Sequence, residues 1–159
     1  MNPPADLPLA VHGDFRIERL YPHSPARVFR ANADAVAKRR WFAEGEGFEV
    51  LEYALDFRVG GWETSRFRFG DGPEICNDAQ FHVVVPDRRI VFTCRMAIGE
   101  APISVSLSTI EIEPAGDGAR FVFVEQGVYF GDPDALKNRE AGSRELLEAL
   151  GRELDRTAP

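Results

Sequence analysis

The segment ARFVFVEQG holds a carboxylate, Glu125, two residues beyond Phe123 and four beyond Phe121. In an extended strand these three side chains share one face. A carboxylate set among phenyl rings loses hydration, which raises its pKa and suits it to general acid or base work. Two structural readings of the same pattern take precedence: a strand end near solvent, or a carboxylate paired with an arginine. Tyr129 follows four residues later, and Trp41 falls at the end of an early helical stretch; each either borders a pocket or packs on the final helix.

Other stretches supply further inward-facing sets. RIVFTCRM puts Ile90, Phe92, Cys94 and Met96 on one face, and NDAQFHVVV puts Asn77, Ala79, Phe81, Val83 and Val85 on one face with Asp78, Gln80 and His82 on the other. His82 therefore points outward, as a surface histidine. WETSRFRF is ambiguous, because Phe67 and Phe69 share a face with Glu63 and Ser65 while Trp62, Thr64, Arg66 and Arg68 share the opposite one. Either phase buries an unlike residue unless a bulge intervenes. We read Phe67 and Phe69 as inward; inward arginines would instead imply an anionic ligand. No histidine pair has metal-ligand spacing, and no Ser-His-Asp order with a nucleophile elbow occurs.

Composition narrows the function classes. A chain of 159 residues, 44% hydrophobic and 28% charged, suits one domain with a substantial core. Its net charge of -7 opposes nucleic acid or anionic membrane as a main partner. The basic run KRR at 38–40 reads as a solvated helix end. Cys76 and Cys94 lack CxxC spacing, so both are expected reduced and structural. Residues 1–12, rich in proline, read as a flexible leader before a single domain at 13–159. They lack the basic start and apolar run of a secretion signal, and no stretch is long enough to span a bilayer, so a cytoplasmic location is expected.

The elements that must position these residues follow from periodicity. DFRIERLY alternates as a half-buried strand. Ser24 before Pro25 marks a helix start, with Val28 and Phe29 as its buried stripe, and Asp34 caps a second short helix ending near Trp41 and Phe42. Runs near 48–57, 62–69, 75–85, 89–97, 103–113 and 119–127 read as strands separated by turn residues. Gly60-Gly61 leads from strand to strand and so reads as a hairpin corner, not a phosphate cradle. From about Leu136 to Arg156 the leucines Leu146, Leu147, Leu150 and Leu154 recur at helical spacing. Such a helix extends roughly 30 Å at about 1.5 Å per residue. The expected architecture is α+β of helix-grip type: a seven-stranded curved antiparallel sheet, two short helices after the first strand, and a long C-terminal helix packed across the sheet over an internal cavity.

The segments ERLYPHSPARVFRA, DFRVGGWE, VVPDRRIVFTC, GARFVFVEQGVYF and LLEALGREL together resemble the SRPBCC (START-like) superfamily, and within it the branch homologous to the C-terminal domain of the activator of the heat-shock-protein-90 ATPase. The resemblance covers residues 14 to about 155 and implies the helix-grip fold; the branch includes lipid binders, cyclase-like proteins and co-chaperone relatives. This chain departs from the pattern at Gly142-Ser143, where relatives carry tryptophan after the glycine, and at Cys94, where relatives carry a large ring. Both changes imply a wider pocket.

The leading expectation is a binding module for a small hydrophobic or amphipathic molecule, with no cofactor or metal. The cavity is expected to be lined by Trp41, Phe67, Phe69, Phe81, Phe92, Cys94, Met96, Phe121, Phe123, Glu125, Tyr129 and Leu147. The first rival is a cyclase- or dehydratase-like enzyme using Glu125 as acid or base, with Tyr129 or an arginine orienting substrate. A stress-related co-chaperone acting on a chaperone ATPase follows from the resemblance alone and ranks last. Exposed sheet edges leave room for a homodimer.

Overall fold

The computed structural model describes residues 7–45 and 47–157. Strand β1 (Ala10–Tyr21) leads through Pro22–Ser24 into helix α1 (Pro25–Ala33), helix α2 (Ala35–Lys38) and a π-helical turn (Arg39–Ala43). Six strands follow: β2 (Phe48–Leu55), β3 (Trp62–Phe69), β4 (Ile75–Val85), β5 (Arg89–Ile98), β6 (Ala101–Ala115) and β7 (Gly118–Phe130). Helix α3 (Ala135–Arg156) closes the chain. All strand pairs are antiparallel, in the order β1-β7-β6-β5-β4-β3-β2, so β1 and β2 form the edges. This is the helix-grip α+β architecture.

Strand β1 begins four residues before the alternation of DFRIERLY, and Ala10, Val11 and His12 pair with Phe130, Tyr129 and Val128. The stretch expected to be a leader is therefore strand from residue 10 onward, because backbone pairing with β7 holds it whatever its side chains; residues 1–6 of that stretch lie outside the described residues. The helix starts have the expected chemistry. Ser24 Oγ accepts the Arg27 N–H at 3.2 Å, and Asp34 Oδ2 accepts the Ala37 N–H at 3.0 Å.

Register shifts bend the sheet. The one between Phe81 and Val83 in β4 leaves His82 unpaired across the ladder and reverses the parity behind it. Phe81 and Val84 then pack on the core while Val83 and Val85 are exposed, a correction to the shared face read from simple alternation. The Gly60-Gly61 corner is docked: Gly60 N–H donates to the Phe81 carbonyl at 2.8 Å, and Phe81 N–H donates to the Gly61 carbonyl at 3.0 Å. Gly60 has φ +83°, and a Cβ on Gly61 would strike the Asp56 carbonyl, so both positions require glycine.

The core lies between the concave sheet face and the C-terminal half of α3, where Leu147, Leu150 and Leu154 bury against Ile17, Tyr21, Ile112 and Phe121. Tyr21 donates its hydroxyl to the Leu147 carbonyl at 2.7 Å. Polar ties through Arg40 and His23 join this helix to the segment between β1 and β2, and a bond within the helix, from Arg156, reinforces the first of them. Arg40 donates to Glu153 Oε1 at 2.6 and 2.8 Å, Arg156 donates to Glu153 Oε2 at 3.1 Å, and His23 Nε2 donates to Asp155 at 2.8 Å while accepting from Arg27 at Nδ1.

Burial alone would raise the pKa of Glu153, but the hydrogen bonds from Arg40 and Arg156 outweigh it and hold the carboxyl below its ordinary 4.5. A depressed folded pKa stabilises the fold above the unfolded value, and that contribution disappears as pH falls through the folded one. Glu153→Gln should therefore lower stability at pH 7 by about 2 kcal/mol. Urea unfolding of both proteins should show the gap shrinking below about pH 4.

Candidate functional site

A cavity of about 400 Å³ lies between the concave sheet face and the first half of α3. Strand β7 contributes Phe121, Phe123 and Glu125; β5 contributes Phe92, Cys94 and Met96; β3 contributes Phe67 and Phe69. Trp41 enters from the π-helical turn and Leu147 from α3. Phe69, stacked edge-on to Phe48 and Phe67, is 55% exposed, which marks where the cavity meets solvent.

Phe81 and Tyr129, both expected on the wall, are set behind it. Phe81 packs edge-on to Phe57 and Phe92 in the core. Tyr129 lies within β7 and supports Glu125 from the side.

Glu125 is buried, and its Oε2 carries two of its three contacts. Its Oε2 accepts the Tyr129 hydroxyl at 2.7 Å and Arg139 Nη1 at 3.2 Å, and its Oε1 accepts Ser108 Oγ at 3.5 Å. Arg139 also donates to Ser104 Oγ at 2.6 Å and lies over the Tyr129 ring, with its guanidinium carbon 5.2 Å from the ring centre. Burial first, then the hydrogen bond to Glu125, pushes the Tyr129 phenol well above its ordinary value, so it remains a donor. Of the two structural readings of Glu125, the pairing with an arginine is realised, through α3. Glu125 anchors the roof of the cavity.

A second polar group occupies the β3 side. Because Phe67 and Phe69 face inward, Glu63 and Ser65 do too, and Glu63 is buried. It accepts the Tyr53 hydroxyl at 2.6 Å and pairs with Lys38 at 3.4 Å. Lys38 is buried as well, its ammonium 5.1 Å from the Trp41 ring centre and 4.7 Å from that of Phe42. The first residue of KRR is therefore an interior cation, while Arg39 and Arg40 pair with Glu44 and Glu153. The cause is local: the short α2 ends at Lys38 and the π-helical turn carries Trp41 and Phe42 over its side chain. Burial, followed by the adjacent Glu63 carboxylate, raises the Tyr53 pKa.

Asn32, at the end of α1, joins this group on the wall, as does Asn77, which accepts the Cys94 thiol at 2.8 Å. Glu63 and Glu125 are separated by β4, β5 and β6, roughly 19 Å along the sheet at about 4.8 Å per strand. Sequence reading missed Lys38, Asn32 and Arg139. The signal for Glu63 was its period-two match to Phe67 and Phe69; Arg66 and Arg68 face outward to Asp78 and Glu49.

The family model described as Activator of Hsp90 ATPase homolog 1-like protein matches residues 22–155. The chain belongs to this family. It is a family of SRPBCC type, as the sequence resemblance implied. A solved structure of a Rhizobium loti protein is 54% identical, with TM-score 0.84, covering 91% of this chain and 99% of that one. A putative uncharacterised protein from Rhizobium leguminosarum is 37% identical, with TM-score 0.89, covering 94% and 99%. A Chromobacterium violaceum protein is 30% identical, with TM-score 0.74, covering 89% and 96%. No curated protein matches the chain. Among the described residues, no helix is long and apolar enough to cross a membrane.

The two departures from the family pattern both fall on this cavity. Cys94, Gly142 and Ser143 all line it, and a Cβ on Gly142 would meet no atom within 4 Å. Gly142→Ala should raise stability by about 1 kcal/mol through helix propensity, and Gly142→Phe should occupy the cavity while keeping the fold. Thermal unfolding checks the first, and loss of probe binding at unchanged circular dichroism checks the second.

Burial pushes the Cys94 thiol up to about 12. In a Cys76→Ser background, Cys94 should therefore resist a thiol-specific disulfide reagent at pH 8 in the native state and react fully once unfolded, as a timed absorbance assay would record.

Proposed function

We propose that this protein is a binding module that encloses a small hydrophobic or amphipathic molecule in the cavity under α3. The observation that carries the reading is the cavity itself: about 400 Å³, walled by aromatic side chains from β3, β5 and β7, with a few polar groups on opposite sides. Sites for small molecules have this size and this apolar lining with sparse, placed polar groups. Ser143, Gly142 and Cys94 supply volume where larger side chains would fill it.

The catalytic alternative needs Glu125 free to exchange a proton with substrate. Its Oε2 is instead held by Tyr129 and Arg139, an arrangement that suits holding a helix. Action on a chaperone ATPase has the family description as its support and no feature of the cavity.

Native mass spectrometry of protein purified from its own host should reveal a bound species of small-molecule mass, and a thermal-shift screen over aromatic and aliphatic compounds should give saturable stabilisation that Gly142→Phe abolishes. Ligand-free protein together with no saturable stabilisation across the screen would overturn the reading.

A further inference from the structure

We propose that the molecule held in this cavity is electrically neutral and carries a hydroxyl-type head group, seated on the β3 side against Asn32 and Lys38. The inference rests on the binding reading above and specifies the chemistry of its ligand.

Asn32 is 1% exposed and lines the cavity. Its amide orientation follows from its neighbour: the Val28 carbonyl at 2.8 Å accepts a hydrogen bond, so the nitrogen must face it. That leaves Oδ1 buried with no partner among the described residues. A buried acceptor without a donor is unfavourable, and a native structure retains one where something else supplies the donor. An N–H or O–H on the ligand would do so.

Lys38 presents the complementary need. An ammonium has three donor positions, and this one has a single carboxylate contact, Glu63 at 3.4 Å, with aromatic faces on its other sides. It can donate to a ligand oxygen. A hydroxyl both donates and accepts, so a head group of this kind suits either residue.

Charge decides the rest. The cations on the cavity wall, Lys38 and Arg139, are each matched by a wall carboxylate, Glu63 and Glu125. A carboxylate or phosphate head group would enter without a free counter-charge, and an ammonium would do the same with opposite sign. An alcohol or phenol enters without that penalty. The aromatic walls accept the remainder of such a molecule, whether ring or chain.

Three probes of matched shape test this: 2-naphthol, 2-methylnaphthalene and 2-naphthoate, titrated calorimetrically into the whole protein at pH 7. The naphthol should bind about tenfold more tightly than either of the others, the equivalent of about one hydrogen bond. Asn32→Leu should bring the naphthol to methylnaphthalene ratio close to one, and Lys38→Met should reduce it. The wild-type ranking needs no variant to fold. Equal binding of naphthol and methylnaphthalene would overturn the hydroxyl assignment and leave the binding reading standing. Tightest binding by naphthoate would overturn neutrality, and no binding by any probe would count against both readings.

Discussion

Helix α3 is attached to the sheet in two different ways along its length, and the cavity exists because of the difference. Its C-terminal half packs by leucine burial, with Leu147, Leu150 and Leu154 against the sheet and Tyr21 bonded to the Leu147 carbonyl. Its first turn rests on β1, where Leu136 occupies the space a side chain at Gly13 would need. Between these seats, Arg139 spans to Glu125 and Ser104, and Gly142 and Ser143 offer too little side chain to fill the gap below. An ion pair with hydrogen bonds holds the helix at a set height where apolar collapse would lower it.

That arrangement depends on residues that small-molecule sites rarely advertise. In β6, Ser104, Ser106 and Ser108 face inward and are buried, while Val105 and Leu107 face outward and are exposed. The polarity of the strand is inverted relative to the usual rule. Ser104 and Ser108 are there to bond Arg139 and Glu125, and their small size leaves room for the guanidinium between sheet and helix. The second buried pair, Lys38 with Glu63, adds little net stability if buried pairs roughly offset their own desolvation. Its effect is to keep a polar, charge-balanced corner in an otherwise aromatic space.

Much of the fold was legible because it is written in local periodicity. Alternation located the strands, turn residues separated them, Ser24 and Asp34 announced two helix starts, and the leucine spacing delimited α3. The places where this reading failed have separate physical causes. The extra residue at His82 shifts parity without any marker in composition, and the pairing of residues 10–12 comes from β7 rather than from their own alternation.

The order of the elements, the inward faces of β5 and β7 and the aromatic character of the cavity are all set by neighbours within one strand or helix, and so can be read from the chain alone. Which charges meet is settled by the folded arrangement. Lys38 finds Glu63, Arg139 finds Glu125 and Arg40 finds Glu153 across separations of 25, 14 and 113 residues. Such pairings depend on where curvature and helix placement bring two side chains, and on whether water is excluded between them. Neither quantity is carried by any local pattern.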